Sequence, residues 1–176
     1  MKNQTKFFVL AIVMLSVTVS TFAQATSTAA ATSTATIVTP ILITKNVDMN
    51  FGNIATNLLG GTVTLPATAA ANRSFTGNIT LTSVAGTVSA AKFTVTGEDT
   101  YTYSTTLPVG NLTITRVSGS ETMIVNGWST SATGTIGATS SGTEEIYVGA
   151  TITVAGNQVP GVYVSGTPFN VTVNYN

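Results

Sequence analysis

The side chains that most often carry out nucleophilic or metal-assisted chemistry are missing from this sequence. Its 176 residues include no histidine and no cysteine. That removes Ser-His-Asp and Cys-His nucleophiles, thiolate chemistry, and the usual ligand sets for zinc, copper or haem. A Ser–Lys arrangement is left with Lys45 or Lys92 as its base. The acidic residues offer little more. Glu144 and Glu145 are adjacent at the entrance to a strand pattern, so their side chains are expected on opposite faces and cannot act as a local glycosidase pair. Glu98-Asp99 sits in a turn pattern, where a carboxylate caps backbone amides or faces water, and no Asp-x-Asp-x-Asp loop surrounds it. Gly60-Gly61 and Gly134-Thr135-Ile136-Gly137 lack the Gly-Lys-Ser/Thr ending of a phosphate loop. The residues therefore predict no catalytic group, no cofactor and no metal. Trp128, Tyr101, Tyr103 and Tyr147 could stack on a sugar, although aromatics at strand spacing more often fill a core.

The elements that would position such residues are strands. Lys2 and Lys6, the apolar run 7–19 and Thr21-Phe22-Ala23 form a cleavable signal peptide over residues 1–23, too short in its apolar part to span a membrane. Residues 24–36 are almost wholly Ala, Ser and Thr and read as a flexible leader. Residues 37–176 read as one domain. There Ile37, Val38, Ile41, Leu42 and Ile43 make a β-branched run that Pro40 interrupts, as at an edge strand. Alternation then recurs almost to the end. Phe75, Gly77, Ile79 and Leu81 share a face, and Met123 and Val125 oppose Ile124 and Trp128. Ile146, Val148, Ala150, Ile152 and Val154 make the longest apolar face. The closing residues Phe169, Val171, Val173 and Tyr175 alternate with Asn and Thr. Val47, Met49 and Phe51 share one face of a strand pattern over residues 47–54, in which Gly52-Asn53 suits a turn or bulge, and Leu59-Gly60-Gly61 reads as a loop. Turn signals about every 8 to 12 residues predict an all-β, antiparallel, immunoglobulin-like sandwich, with a barrel or jelly roll as the alternative.

Without the signal, Lys45, Arg73, Lys92 and Arg116 face six acidic residues, and nothing in that balance would grip nucleic acid or an anionic membrane. Charged residues are 7% of the chain, against about 25% in ordinary soluble domains. A weakly charged, Thr-rich β-protein has little electrostatic defence against edge-to-edge pairing, which points to self-association.

Several short motifs resemble a secreted family of unknown function, DUF4402-like, related in pattern to spore coat protein U and the chaperone–usher pilins. They are Asn50-Phe51-Gly52-Asn53-Ile54, the segment 88–97, Tyr147-Val148-Gly149-Ala150, Gly161-Val162-Tyr163 and the penultimate Tyr175. The pilin resemblance implies donor-strand complementation, in which one subunit's N-terminal extension fills a groove in the next. Ile37, Val38, Ile41, Leu42 and Ile43 would be the donor residues, and Phe169, Val171, Val173 and Tyr175 would border the groove. The expected function is a secreted, non-enzymatic subunit of a filament, pilus or coat. Its partners would be further copies of the chain, with secretion or assembly factors left open. The alternative is a monomeric adhesion or glycan-binding module using Trp128 and the loop 130–142.

Overall fold

A computed structural model describes residues 25–137 and 141–176. The expected signal peptide lies outside the described residues. Residues 1–36 and 37–176 are two units. In the first, residues 25–36 are exposed and carry no regular secondary structure.

The second unit is all-β, with two sheets, the larger curled into a half-barrel. Among the described residues its strands are β1 (Leu42–Val47), β2 (Ile54–Leu65), β3 (Ser74–Leu81), β4 (Ala91–Thr96), β5 (Tyr103–Thr106), β6 (Leu112–Arg116), β7 (Thr122–Thr130), β8 (Thr143–Val154), β9 (Tyr163–Ser165) and β10 (Thr172–Tyr175). All strand pairings are antiparallel. The larger sheet runs β1-β4-β8-β7-β6-β9, with β2 joining β8 to β3, and β5 and β10 form the second sheet. β8 is the axis because it is the longest uninterrupted apolar face. One of its edges is shared end to end by β4, along residues 143–148, and by β2, along residues 150–154. At the junction Gly149 has no room for a Cβ, which would collide with the Leu65 carbonyl.

The face of β8 that carries Ile146, Val148, Ala150, Ile152 and Val154 is buried along its length. Its first half joins a cluster with Phe93 and Val95 of β4, and with Tyr103 and Val173 of the small sheet. Its second half joins a cluster with Val63 of β2, Ile79 of β3 and Val125 of β7. Met49 and Trp128 pack on both clusters, so the two cores are continuous. Without a disulfide, this burial and the ladder supply the stability, at roughly 25 cal/mol per Å² of apolar surface removed from water.

The turn expected at Gly52-Asn53 is present, with Gly52 at φ 67° and its amide donating to Asn50 Oδ1 at 2.8 Å. It divides the 47–54 pattern into the end of β1, a bridge from Asn50 to Ser89, and the start of β2. Two local expectations are corrected. The loop expected at Leu59-Gly60-Gly61 is instead a bulge inside β2, where the register with β3 shifts between Thr56 and Gly61. Gly60 lies at φ 66°, and a Cβ there would strike the Val154 carbonyl, so glycine serves a close backbone approach.

Trp128 also changes sides. Strict alternation places it opposite Val125, yet both side chains reach the inner cluster. The pairing of β7 with β8 shifts between Asn126 and Ser129, and Gly127 sits at φ 62°. One extra residue at this bulge reverses the alternation and turns the indole inward.

Candidate subunit-contact surfaces

The terminal alternation packs as the sequence predicts. Phe169, Val171, Val173 and Tyr175 all lie against the first core cluster, and Phe169 stacks on Trp128 with centroids 4.7 Å apart. β10 pairs with β5, from Thr172↔Thr106 to Tyr175↔Tyr103. The Tyr175 hydroxyl donates to the Thr39 carbonyl and accepts the Glu98 amide, each at 2.7 Å. Gly97 makes this possible, since a Cβ there would overlap the tyrosine oxygen. Glu98 Oε2 in turn accepts the Thr39 amide at 2.8 Å. The amide holds the Glu98 carboxyl below its ordinary range, because the charged form is the better acceptor. The residue just before Pro40 is thus tied to the C-terminal strand of its own chain.

The candidate donor residues divide into two groups. Leu42 and Ile43 belong to β1, an edge strand that among the described residues pairs with β4 alone, from Leu42↔Thr96 to Val47↔Lys92. Ile41 and Ile43 pack on the first core cluster, whereas Leu42 points outward. Ahead of Pro40, Val38 is half-buried and Ile37 is 97% exposed. The sequence-predicted donor and groove residues therefore meet within one chain at Thr39–Tyr175, and Ile37 stands outside that contact.

The chemistry-bearing side chains are separated from one another. Glu144 and Glu145 face opposite sides, as expected. Glu145 pairs with Lys92 at 2.5 Å on the outer face, and Lys45 pairs with Asp48 at 2.6 Å. Ser89 and Lys92 stand at Ser-x-x-Lys spacing, which on a strand places them on opposite sides. The Ser89 hydroxyl donates to the Asp48 carbonyl instead. Asp99 Oδ1 accepts the amides of Thr100 and Gly142, which is the capping role expected of that turn. Among the described residues, no three acidic side chains converge to hold a metal, and no helix is long and apolar enough to cross a membrane.

Sequence reasoning missed two polar arrangements, one buried and one at the surface. Glu144 is 2% exposed, and its oxygens accept the Tyr103 hydroxyl and the Thr133 amide, each at 2.7 Å. Burial first, and then the bond to Glu144, raises the Tyr103 pKa well above its ordinary value. Arg73 Nη1 donates to the carbonyls of Phe51 and Asn53, clamping the turn of the Asn-Phe-Gly-Asn-Ile motif. A signal for it does exist, because Arg73 is the lone charged residue between Met49 and Ala91.

That clamped turn lies within the stretch 41–175, as do Glu98 and Tyr175 but not Thr39, and this stretch matches a family described as a domain of unknown function, DUF4402. The chain belongs to this family. The match takes in every strand of the second unit and begins after Pro40, leaving Ile37 and Val38 outside it. No curated protein and no solved structure matches the chain.

The aromatic residues considered for sugar binding have structural partners. Trp128 Nε1 donates to the Gly110 carbonyl at 3.2 Å, and its ring is covered by Phe169. Tyr101 meets Tyr175 edge to face at 5.7 Å, and Tyr103 lies in the core. Tyr147 sits beneath Lys92, whose Nζ is 6.0 Å from the ring centroid.

Proposed function

We propose that the protein is a secreted, non-enzymatic structural subunit that joins copies of itself into an extracellular filament or coat by β-strand complementation. One observation carries the reading: an edge strand held by a single ladder stands at the head of the domain, directly behind an exposed segment without secondary structure. Such a strand can leave its own sheet for the equivalent place in a neighbour and keep the same register, from Leu42 opposite Thr96 to Val47 opposite Lys92. Backbone bonds would give strength, and Ile41 and Ile43 would set register by filling the core positions they now occupy. In this reading the β5–β10 sheet and the crossing at Met49 and Phe51 are the second layer of an immunoglobulin-like sandwich. Low charge supports self-association. The monomeric glycan-binding alternative has less support, because the Trp128 ring and N–H already have partners.

The test is removal of residues 24–44 from the secreted chain, with fibres sought by negative-stain microscopy and a heat-sensitive ladder on an unboiled gel. The expected result is loss of both. A synthetic peptide of residues 37–47 added to the truncated chain should restore its cooperative unfolding without restoring fibres. Fibres that persist unchanged after truncation refute strand exchange through this segment.

A further inference from the structure

The edges of the larger sheet are protected unequally. β1 carries a charge at its edge, Lys45, which is exposed and paired with Asp48. β9 has three residues. Charged side chains on the edge and short strands are both ways in which an edge resists pairing with another chain. β3 has eight residues, Ser74–Leu81, with no charge and no proline. Among the described residues, its second edge pairs with no strand. Arg73, the nearest charge, is turned back onto the Phe51 and Asn53 carbonyls. Phe75 of this strand is 50% exposed and leaves apolar surface uncovered there.

The segment before Pro40 has the matching pattern. Ala31, Ser33, Ala35 and Ile37 alternate with Thr32, Thr34, Thr36 and Val38. β3 alternates Phe75, Gly77, Ile79 and Leu81 with Thr76, Asn78 and Thr80. Both are uncharged, and both set a polar hydroxyl-rich side against an apolar or small one. The outer side of β3 already continues a threonine ladder, with Thr76 and Thr62 hydroxyls 2.7 Å apart. We infer that residues 31–38 of a second copy add as an antiparallel strand to the open edge of β3, with Thr34 opposite Thr80, the threonines extending the outer ladder and Ile37 diagonal to Phe75.

Distance favours a second copy over the same chain. β1 begins opposite Thr96, which pairs with Thr143, the first residue of β8. Ser74 of β3 is level with Thr151 through Thr64, about 27 Å further along β8. The five residues from Leu42 back to Ile37 reach about 17 Å when extended. Donor root and acceptor edge at opposite ends of one subunit make a head-to-tail contact, which propagates instead of closing. The inference rests on the reading that copies join through strands. It gives them a second contact, separate from β1.

Because the chain has no native cysteine, disulfide trapping in the full chain is a clean test. A variant carrying Thr34→Cys with Thr80→Cys should give a reducible ladder of oligomers under mild oxidation, while each single variant stops at dimers. Ala35→Cys with Thr80→Cys should cross-link at least tenfold less, since residue 35 falls on the other side of the added strand. Thr80→Lys should lower the oligomeric fraction in sedimentation at least tenfold. Equal cross-linking from positions 34 and 35, or trapping of Thr34→Cys by Asn174→Cys on β10 in place of Thr80→Cys, overturns the β3 contact. Fibres without any Thr34–Thr80 ladder also overturn it, yet leave strand exchange standing. A chain that sediments only as monomer and forms no fibres defeats both.

Discussion

Replacing Tyr103 by phenylalanine tests the most exacting interaction in the core. The hydroxyl donates at 2.7 Å to Glu144, a carboxylate only 2% exposed, whose other described donor is the Thr133 amide at 2.7 Å. The ring itself stays, so the first core cluster keeps its packing, and the loss is one hydrogen bond to a charged group. Such bonds contribute about 1.5–3 kcal/mol, and a buried acceptor left short of donors adds to that cost. We expect Tyr103→Phe to destabilise by about 2–3 kcal/mol, which for a domain of this size lowers Tm by roughly 5–10 °C. Glu144→Gln keeps an acceptor for one donor and should cost less, about 1 kcal/mol. The double variant should fall well short of the sum, because both changes remove the same bond. The assay is urea unfolding of all four proteins with m-values compared. A Tyr103→Phe midpoint within about 0.5 kcal/mol of the parent, or strict additivity in the cycle, would refute the reasoning.

Two further outcomes follow from local geometry. Gly127→Ala should cost about 1–2 kcal/mol from its left-handed backbone alone, because the added Cβ meets nothing nearer than Thr151 Oγ1 at 3.4 Å. Thermal melts read this cost, and a neutral or stabilising change would mean that the bulge does not constrain Trp128. The Glu98 carboxyl, lowered by its bond to the Thr39 amide, should titrate below 4.5 when followed by NMR. A lowered folded-state pKa means that this tether contributes above the unfolded carboxyl's pKa and is lost as pH falls through the folded value. The Thr39 amide shift should move with the same midpoint and stop moving in Glu98→Gln. A midpoint at or above 4.5 would contradict the bond.

Fold class was legible because period-two alternation is written locally, and β8 and the closing residues 169–175 carry it without interruption. The errors share one physical source. Gly60 and Gly127 both hold positive φ, and each sits in a bulge that alternation alone cannot place. Trp128 shows the consequence most plainly, since one extra residue at Gly127 moves it from the solvent side to the junction of both cores. Pairing across long separations was not legible either. Nothing local in residues 37–44 says that Tyr175 will bond to Thr39, 136 residues away. That contact divides the predicted donor segment at Pro40. Residues after it have core positions and a ladder to lose if they exchange, while Ile37 before it has neither. Exchange of β1 must therefore break existing pairing before it can form new pairing. Addition of residues 31–38 to β3 requires only that two unpaired edges meet. The two contacts should consequently differ in rate, with the β3 contact forming first and reversibly and exchange of β1 following slowly. A time course of Thr34–Thr80 trapping that precedes the heat-sensitive ladder of unboiled samples would support that order, and the reverse order would exclude it.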